Sequence, residues 1–239
     1  MSKKKRRIAK PIQPPFKAQS YYEKELIAYI DDIEKRLFKK FKFLADSESQ
    51  EGILVFIMSY IENLPMFGKI ALRFVSLVNS INKKKFATNL ENIGFKEIIN
   101  PSLEAYLDLK RKENIELIKS IPLQLHAKLE EKLKEYYENP QGKSLVKILE
   151  KEFNVSRSRA KLIARDQTAK INHNLSRQRA KANGSKSYKW RTSEDERVRS
   201  PHKKLNGKVF KWKKGSPCCG DPSDEVNCRC LALAIYEDV

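Results

Sequence analysis

The chain has 239 residues, which is enough for one large domain or two modest ones that each bury a core without covalent cross-links. Its 49 lysines and arginines outnumber its 30 aspartates and glutamates, giving a formal charge of +19 that favours a polyanionic partner. The longest strongly apolar run, residues 53–61, is too short to cross the roughly 30 Å of a bilayer core, so we expect no membrane span.

The excess positive charge lies in two blocks. Residues 1–20 hold seven cations and no acids, and residues 155–215 hold nineteen cations and four acids, whereas residues 21–154 are nearly balanced. A solvated helix face would explain one such block, but two blocks favour contact with a polyanion. Pro11, Pro14 and Pro15 follow the basic run at residues 3–7, where a signal peptide would have its apolar core, so residues 1–19 are predicted to form a disordered basic arm of a cytosolic product.

Helical periodicity begins at Ser20 and continues to about residue 138. Ser20 and Glu23 have the spacing of a capping box, and an apolar stripe follows them that we assign to the core. Proline or glycine interrupts the pattern near residues 45–50, 64–65, 100–101, 121–122 and 139–142. These breaks predict a helical domain over residues 20–139, built as a bundle of five or six helices.

Residues 139–142 are the predicted linker to a second domain at residues 144–239. A short helix over residues 144–153 precedes a longer one that Ser156 caps, and Asn183-Gly184 ends this second helix.

Beyond that helix the hydrophobic period changes to two, which predicts strands near residues 188–192 and 231–235. Asn206-Gly207 predicts a type I′ hairpin that joins residues 203–205 to residues 208–212. The predicted fold class is therefore α+β: a helical N-terminal bundle, followed by a small C-terminal unit of one or two helices and a mostly antiparallel sheet.

The longer helix and the first strand each present a basic face. Arginine grips phosphate with two parallel hydrogen bonds, so such faces can neutralise a DNA backbone without reading its bases. An equally open alternative is that the arginines contact acids of neighbouring subunits. The candidate phosphate contacts are Arg157, Arg159, Lys161, Arg165, Lys170, Arg177, Arg179, Lys189 and Arg191.

His202 precedes four cysteines within one small unit: Cys218, Cys219, Cys228 and Cys230. An imidazole and thiolates are sufficient for a tetrahedral zinc site, although adjacent cysteines depart from the usual Cys-x2-Cys spacing. The predicted ligands are His202, one of Cys218 and Cys219, Cys228 and Cys230, and four protein ligands would make the zinc structural. Buried thiols are the alternative, and in a cytosolic protein we expect thiols or metal ligands rather than disulfides.

A series of short motifs runs through the C-terminal part of the chain. In order these are Ala-Arg-Asp-Gln-Thr from residue 164, Tyr-Lys-Trp-Arg-Thr-Ser from 188, Asp-Glu-Arg-Val-Arg-Ser-Pro-His from 195, Leu-Asn-Gly-Lys-Val-Phe from 205, and Cys-Arg-Cys from 228. Together they resemble the Mu F-like family of phage head morphogenesis proteins over roughly residues 145–236. We assign structural roles to the matching positions Thr168, Trp190, Asp195, Arg197, Arg199 and Gly207. Trp190 is expected in the core, and Asp195 is expected to pair with Arg197 or Arg199.

The resemblance implies a structural minor head protein of a tailed phage that acts at the portal during procapsid assembly. Its expected partners are the portal protein, a scaffold or major capsid protein, and double-stranded DNA held by nonspecific phosphate contacts. Its expected location is the virion head, after assembly in the host cytoplasm. We also expect no toxin or enzymatic domain after this region, since the sequence stops at Val239.

No catalytic residue is predicted, because no pairing of a nucleophile with a general base can be assigned from the spacing. Two alternatives remain open. One is a metal-supported nuclease that uses His202 and the cysteines, and the other is a nonspecific DNA-binding protein of the host.

Overall fold

The computed structural model describes residues 6–41, 50–60, 64–97, 103–139, 144–212 and 214–237. Its helices are α1 (Phe16–Lys40), α2 (Gln50–Met58), α3 (Leu64–Glu91), α4 (Glu104–Glu138), α5 (Leu145–Ala182) and α6 (Ser200–Lys203). Its strands are β1 (Arg6–Ile8), β2 (Ser187–Arg191), β3 (Val209–Lys211) and β4 (Leu231–Glu237). The α+β class is confirmed.

One predicted helix break in this bundle is wrong. Pro122 lies inside α4, where the buried side chains of Ile118, Ile121 and Leu125 on both sides of it stabilise the helix despite the lost hydrogen bond. The bundle predicted for residues 20–139 accordingly contains four described helices, α1 to α4, and not five or six. The predicted breaks at residues 45–49 and 100–101 lie outside the described residues.

The predicted pair of helices at residues 144–153 and 156–182 is one continuous helix, α5. Ser156 does not cap it, because its hydroxyl donates to the carbonyl of Glu152 one turn earlier, at 3.1 Å. No glycine or proline separates the two predicted pieces, and Phe153 and Ala160 are both fully buried. The predicted end is confirmed: Gly184 has φ +90°, and the following N–H donates back to Ala180 at 2.9 Å.

Contacts divide the chain into two units that differ from the predicted domains. The helical unit consists of Ser20–Arg73 and Arg111–Ala164, and the sheet unit consists of Met1–Gln19, Phe74–Lys110 and Arg165–Val239. Helices α1, α3, α4 and α5 each contribute residues to both units, so a boundary at residues 139–144 does not separate them. Residues 140–142 of the predicted linker lie outside the described part of the chain.

The sheet unit is built on four antiparallel strands in the order β1-β4-β2-β3. Tyr188 and Trp190 of β2 pair with Ala234 and Ala232 of β4, so two large aromatic rings lie opposite two small side chains. Both rings are fully buried and pack with residues of α3 and α5. This core supports the candidate site, because His202 lies against the Trp190 ring, with the ring centroids 5.4 Å apart.

The prediction of a disordered arm over residues 1–19 is wrong for the described residues 6–19. Arg6–Ile8 form strand β1, paired with β4 near the other end of the chain. Arg7 donates to the carbonyl of Ile93 at 2.7 Å, and Ile12 accepts a hydrogen bond from Asn172 at 2.7 Å. Residues 6–12 are therefore held in place by hydrogen bonds to distant parts of the chain, despite the basic composition of this segment. Residues 1–5 lie outside the described range.

The predicted hairpin at Asn206-Gly207 is also wrong. Strand β3 pairs with β2, whereas residues 200–203 form α6, which Pro201 favours at its first turn. Gly207 does have the predicted positive φ, +78°, and its N–H donates to Trp190 at 2.8 Å, but Asn206 is not among the described residues with positive φ. Gly207 thus extends the pairing with β2 and does not form a two-residue turn.

Within the described part of the chain, no helix combines the length and apolarity needed to cross a membrane.

Candidate metal centre and basic face

His202, Cys228 and Cys230 form a buried cluster in the sheet unit, called here the thiol-imidazole cluster. The Nδ1 atom of His202 lies 3.6 Å from the sulfur of Cys228 and 3.5 Å from the sulfur of Cys230. The three residues are 3%, 6% and 2% exposed, respectively. The structure thus brings together three of the five residues predicted from the sequence as metal ligands.

Local structure fixes each member of the cluster. α6 carries His202, and the turn at Glu225–Cys228 is closed by a 3.1 Å hydrogen bond from the Cys228 N–H to the Glu225 carbonyl. Asn227 in this turn has φ +59°, a left-handed conformation that asparagine tolerates better than most residues. Cys230 is the last residue before β4, so the sheet determines its position.

The far side of the imidazole faces a carboxylate that the sequence analysis did not include. Oε2 of Glu225 lies 3.5 Å from Nε2 of His202. Glu225 is itself held by an ion pair with Arg199, whose guanidinium also donates to the Val226 carbonyl at 2.9 Å. Glu225 lies three residues before Cys228, and that proximity was the only sequence signal that could have drawn attention to it.

The other two cysteines are arranged differently. Cys218 and Cys219 are joined by a disulfide, so the expectation of thiols is wrong for this pair, whose adjacency places the sulfurs within bonding reach. Cys219 forms a second group of potential ligands with His202 and Glu225, whose ligand atoms lie within 4.8 Å of one another. Cys218 is exposed and belongs to neither group among the described residues.

The cluster also changes the acidity of its thiols. The pKa of Cys228 lies below its usual value, first because the Cys230 side chain hydrogen-bonds to it, and burial opposes the change. The same hydrogen bond and burial raise the pKa of Cys230, so without a metal ion only Cys228 is favoured as a thiolate, the form that binds metal ions.

Five exposed arginines surround this cluster and are called here the arginine face: Arg165, Arg191, Arg197, Arg199 and Arg229. A cavity of about 260 Å³ is lined by four of them together with all three members of the thiol-imidazole cluster. A neighbouring cavity of about 460 Å³ is lined by Arg165, Arg191 and Arg229. The thiol-imidazole cluster and the arginine face therefore border the same cavity.

The arginines of this face differ in how their charge is compensated. Arg229 makes a two-pronged ion pair with Asp195, at 2.6 and 2.8 Å. Arg165 donates only to the neutral side-chain amide of Asn227. Within the described chain, the side chains of Arg191 and Arg197 have no acidic partner. Three of the five guanidinium groups thus keep an uncompensated charge.

The predicted ion pair between Asp195 and the side chain of Arg197 or Arg199 is wrong. Asp195 pairs with Arg229 and accepts only the backbone N–H of Arg197, at 3.0 Å. The sequence favoured near neighbours, but the chain folds back and places Arg229 beside the loop.

Several predicted phosphate contacts are engaged within the chain. In the helical unit, Arg157 forms ion pairs with Asp31, at 2.8 Å, and with Glu34, and Arg159 donates to Ser120 at 2.6 Å. Their described partners belong to the same unit.

In the sheet unit, Lys170 pairs with Asp166 at 2.9 Å, and Arg177 pairs with Asp221 at 2.6 Å. Arg165 and Arg191 of this unit remain exposed, and Lys189 is half-buried. Lys161, in the helical unit, is also exposed. The set of predicted phosphate contacts therefore has to be narrowed to cations without acidic partners in the described chain.

Arg179 is wrong as a phosphate contact, because it is 1% exposed. Its guanidinium donates to Asn82 and, at 2.6 Å, to Asn79, both on α3. The amide of Asn82 in turn donates to the side chains of Asn172, at 2.8 Å, and Ser176, at 2.8 Å. Burial lowers the pKa of Arg179 to about 10, so this network holds a buried cation at neutral pH.

The remaining positions that match the family motifs lie in the core of the sheet unit or beside it. Thr168 and Trp190 are fully buried, and Trp190 occupies the core position that the alternation of β2 gives it. Gly207 contributes its positive φ beside Trp190, as described above.

The fold and site define an α+β protein in which a buried histidine and two cysteines adjoin an arginine-rich surface. Residues 126–233 match the model of the family described as Phage Mu protein F like protein, which confirms the resemblance for the C-terminal part of the chain. The match covers 108 of the 239 residues, so the similarity is established for that region of the chain.

The chain is also similar to a protein of Haemophilus influenzae that is described as an uncharacterized protein. The two are 26% identical over 255 aligned residues, which cover 99% of this chain and 57% of the relative. The chain therefore spans somewhat more than half the length of that relative. No solved structure shows a significant match to the chain.

Proposed function

We propose that the protein is a minor head protein of a tailed phage, built into the virion head and acting at the portal during procapsid assembly. The observation that carries the proposal is the family match over residues 126–233, which includes the C-terminal end of α4, all of α5 and α6, strands β2 and β3, and the thiol-imidazole cluster. The proposed protein partners are the portal protein and a scaffold or major capsid protein.

The arginine face is the proposed surface for packaged DNA. Its five guanidinium groups lie around two adjoining cavities, and Arg165, Arg191 and Arg197 keep charges that no described acid neutralises. A DNA duplex carries one phosphate charge per about 1.7 Å of its axis, so a clustered set of arginines can neutralise several phosphates at once. Contacts of this kind bind the backbone and do not select a sequence.

Buried or ion-paired cations make weaker candidates, because binding phosphate would require them to give up their present partners. Arg157 and Arg177 would each have to leave a carboxylate, and Arg179 would have to leave the core. We therefore assign DNA contact to Arg165, Arg191 and Arg197, with Lys189 beside them. Lys161 is the exposed predicted contact in the helical unit.

DNA binding is tested by comparing two triple variants that remove the same charge. Arg165→Ala, Arg191→Ala and Arg197→Ala together remove the uncompensated part of the arginine face. Lys83→Ala, Lys84→Ala and Lys85→Ala together remove three exposed charges of α3, which lie outside both cavities.

Affinity for a short duplex is measured by fluorescence anisotropy across a salt series. The arginine variant should reduce the steepness of log K against log salt by about 2 to 3, since each phosphate contact contributes about 0.9. The lysine variant should keep the wild-type slope. Equal slopes for the wild type and the arginine variant would contradict the assigned surface.

The head function is tested separately by deleting the gene from the phage and supplying the protein from a plasmid. Without the protein, infectious particles should be lost, and the wild-type copy should restore them. Normal yields of infectious, DNA-filled particles without any copy of the protein would contradict a role in head morphogenesis. This outcome does not depend on whether the purified protein binds DNA.

A further inference from the structure

We propose that the thiol-imidazole cluster is a structural zinc site, with His202, Cys228 and Cys230 as three ligands and Cys219 as the fourth. The bound ion would join α6 to the segment that leads into β4, and would also join the loop that carries Cys219 to both.

The distances within the cluster match a zinc coordination sphere. Zinc binds thiolate sulfur at about 2.3 Å and imidazole nitrogen at about 2.0–2.1 Å in a tetrahedron, so its nitrogen and sulfur ligands lie about 3.6 Å apart. The two distances from His202 Nδ1 to the cysteine sulfurs are 3.6 and 3.5 Å. The imidazole nitrogen is therefore already spaced from the sulfurs of Cys228 and Cys230 as it would be around the ion.

Hydrogen bonds from the two thiols to His202 explain this arrangement less well than a bound metal ion does. A neutral imidazole has one nitrogen that accepts a hydrogen bond, through a single lone pair. Here two sulfurs approach the same Nδ1 atom at nearly equal distances, so both thiols cannot donate to it well. A metal ion between the three atoms satisfies all of them at once.

The surroundings of His202 also fit a metal ligand. A histidine that binds a metal through one nitrogen commonly donates its other N–H to a carboxylate, which orients the ring and raises its basicity. Nε2 of His202 is buried without a hydrogen-bond partner among the described residues, and the carboxylate of Glu225, which Arg199 holds, lies 3.5 Å from it. We therefore assign Glu225 to the support of His202 and not to the metal itself.

Cys219 is the best fourth ligand among the described residues. It is half-buried, packs against the core of the sheet unit, and its sulfur lies within 4.8 Å of a His202 nitrogen, although outside the group that His202 forms with Cys228 and Cys230, so its side chain has to move toward that group to bind the ion. Cys218 is exposed and outside both groups. Binding through Cys219 requires a thiolate, so the zinc form has the Cys218–Cys219 pair reduced, as the bacterial cytoplasm keeps most thiols. Four protein ligands leave no open position, which makes the site structural.

The test uses the full chain, purified without a metal-affinity tag or chelator and kept reduced with a phosphine. Elemental analysis should find about one zinc per chain, and X-ray absorption at the zinc edge should show three sulfurs at about 2.3 Å and one nitrogen at about 2.0 Å. Absence of zinc would overturn the site. Two sulfurs in the wild-type spectrum would overturn the assignment of Cys219.

Two serine variants of adjacent cysteines provide a matched comparison. Cys218→Ser should retain one zinc and the three-sulfur spectrum, whereas Cys219→Ser should lose one sulfur from the spectrum and release zinc to a chelator at least 10-fold more readily. Equal zinc release from the two variants would overturn the assignment of Cys219. Both positions lie outside the segments of regular structure, so far-ultraviolet circular dichroism can verify that each variant folds.

Discussion

The buried network around Arg179 predicts a large loss of stability from one small substitution, Asn82→Ala. The Asn82 side chain accepts a hydrogen bond from the Arg179 guanidinium and donates to Asn172 and Ser176. Its removal leaves one N–H group of a buried cation without its acceptor, and leaves Asn172 without one of its donors. Arg179 keeps its contact with Asn79, so part of the network survives.

The expected cost follows from these lost contacts. A hydrogen bond to a charged group contributes about 1.5–3 kcal/mol, and a second buried polar group left unsatisfied adds about 1 kcal/mol or more, so the free energy of unfolding should fall by about 3 kcal/mol. For a chain of this size, that corresponds to a fall of roughly 6–12 °C in the midpoint of thermal unfolding.

The matched control is Asn89→Ala, the same substitution on the same helix. Asn89 makes one exposed hydrogen bond, to the Lys10 carbonyl at 2.8 Å, so the expected cost is only about 1 kcal/mol. Both variants gain the same helix propensity of alanine, which cancels in the comparison. Thermal and urea unfolding, followed by circular dichroism, give the two values.

A second variant isolates the buried charge. Arg179→Leu should cost less in the Asn82→Leu background than in the wild type, because replacing both members of a buried polar pair removes the unpaired charge. Equal costs of Asn82→Ala and Asn89→Ala, or additive effects in the leucine pair, would refute the account of this network.

Three further predictions concern pH, zinc and DNA. Burial lowers the pKa of His173 to about 3. Between pH 6.5 and pH 3 the unfolded chain therefore binds a proton that the folded chain does not, so the free energy of unfolding should decrease as the pH is lowered, by up to about 1.4 kcal/mol per pH unit. Urea unfolding at pH 7 and pH 5 should show this extra loss in the wild type and not in His173→Gln, and equal losses would contradict the prediction. Glu225→Gln should weaken zinc binding about 10- to 100-fold in a chelator competition, while Glu237→Gln, which alters a surface ion pair with Arg6, should not; equal affinities would remove the role given to Glu225. Supercoiled plasmid incubated with the protein and divalent ions should stay intact, and cutting that His202→Ala abolishes would favour a metal-supported nuclease instead.

The features of the fold that were predicted correctly are those that depend on a few neighbouring residues in the sequence. Strand β2 was predictable because the alternation of its side chains places Tyr188 and Trp190 on a buried face, which they share with Ala232, Ala234 and Tyr236 of β4. The end of α5 was predictable because Gly184 adopts a conformation that glycine favours. Each of these features is encoded within a few residues.

Long-range pairing accounts for most of the errors. Arg179 looks like a surface cation in the sequence, but its acceptor Asn82 lies 97 residues away and converts it into a core residue. The basic segment around Arg7 looks disordered, but it pairs with β4 more than 220 residues later. Composition describes a segment by itself, whereas these outcomes depend on partners that composition does not identify.

The candidate site was partly predictable for a chemical reason. Histidine and cysteine are uncommon enough that their co-occurrence in one small unit selects the right residue types, and His202, Cys228 and Cys230 do come together. Spacing did not distinguish Cys218 from Cys219, since neighbours in sequence differ only in which way each side chain points. It also did not reveal Glu225, because exposed acids are common and only its position beside Nε2 sets it apart.

The most direct test of the proposed function is quantitative mass spectrometry of purified procapsids and filled heads from one lysate. We expect the protein in both kinds of particle, in few copies relative to the major capsid protein, and together with the portal protein. Its absence from both procapsids and filled heads would contradict the account.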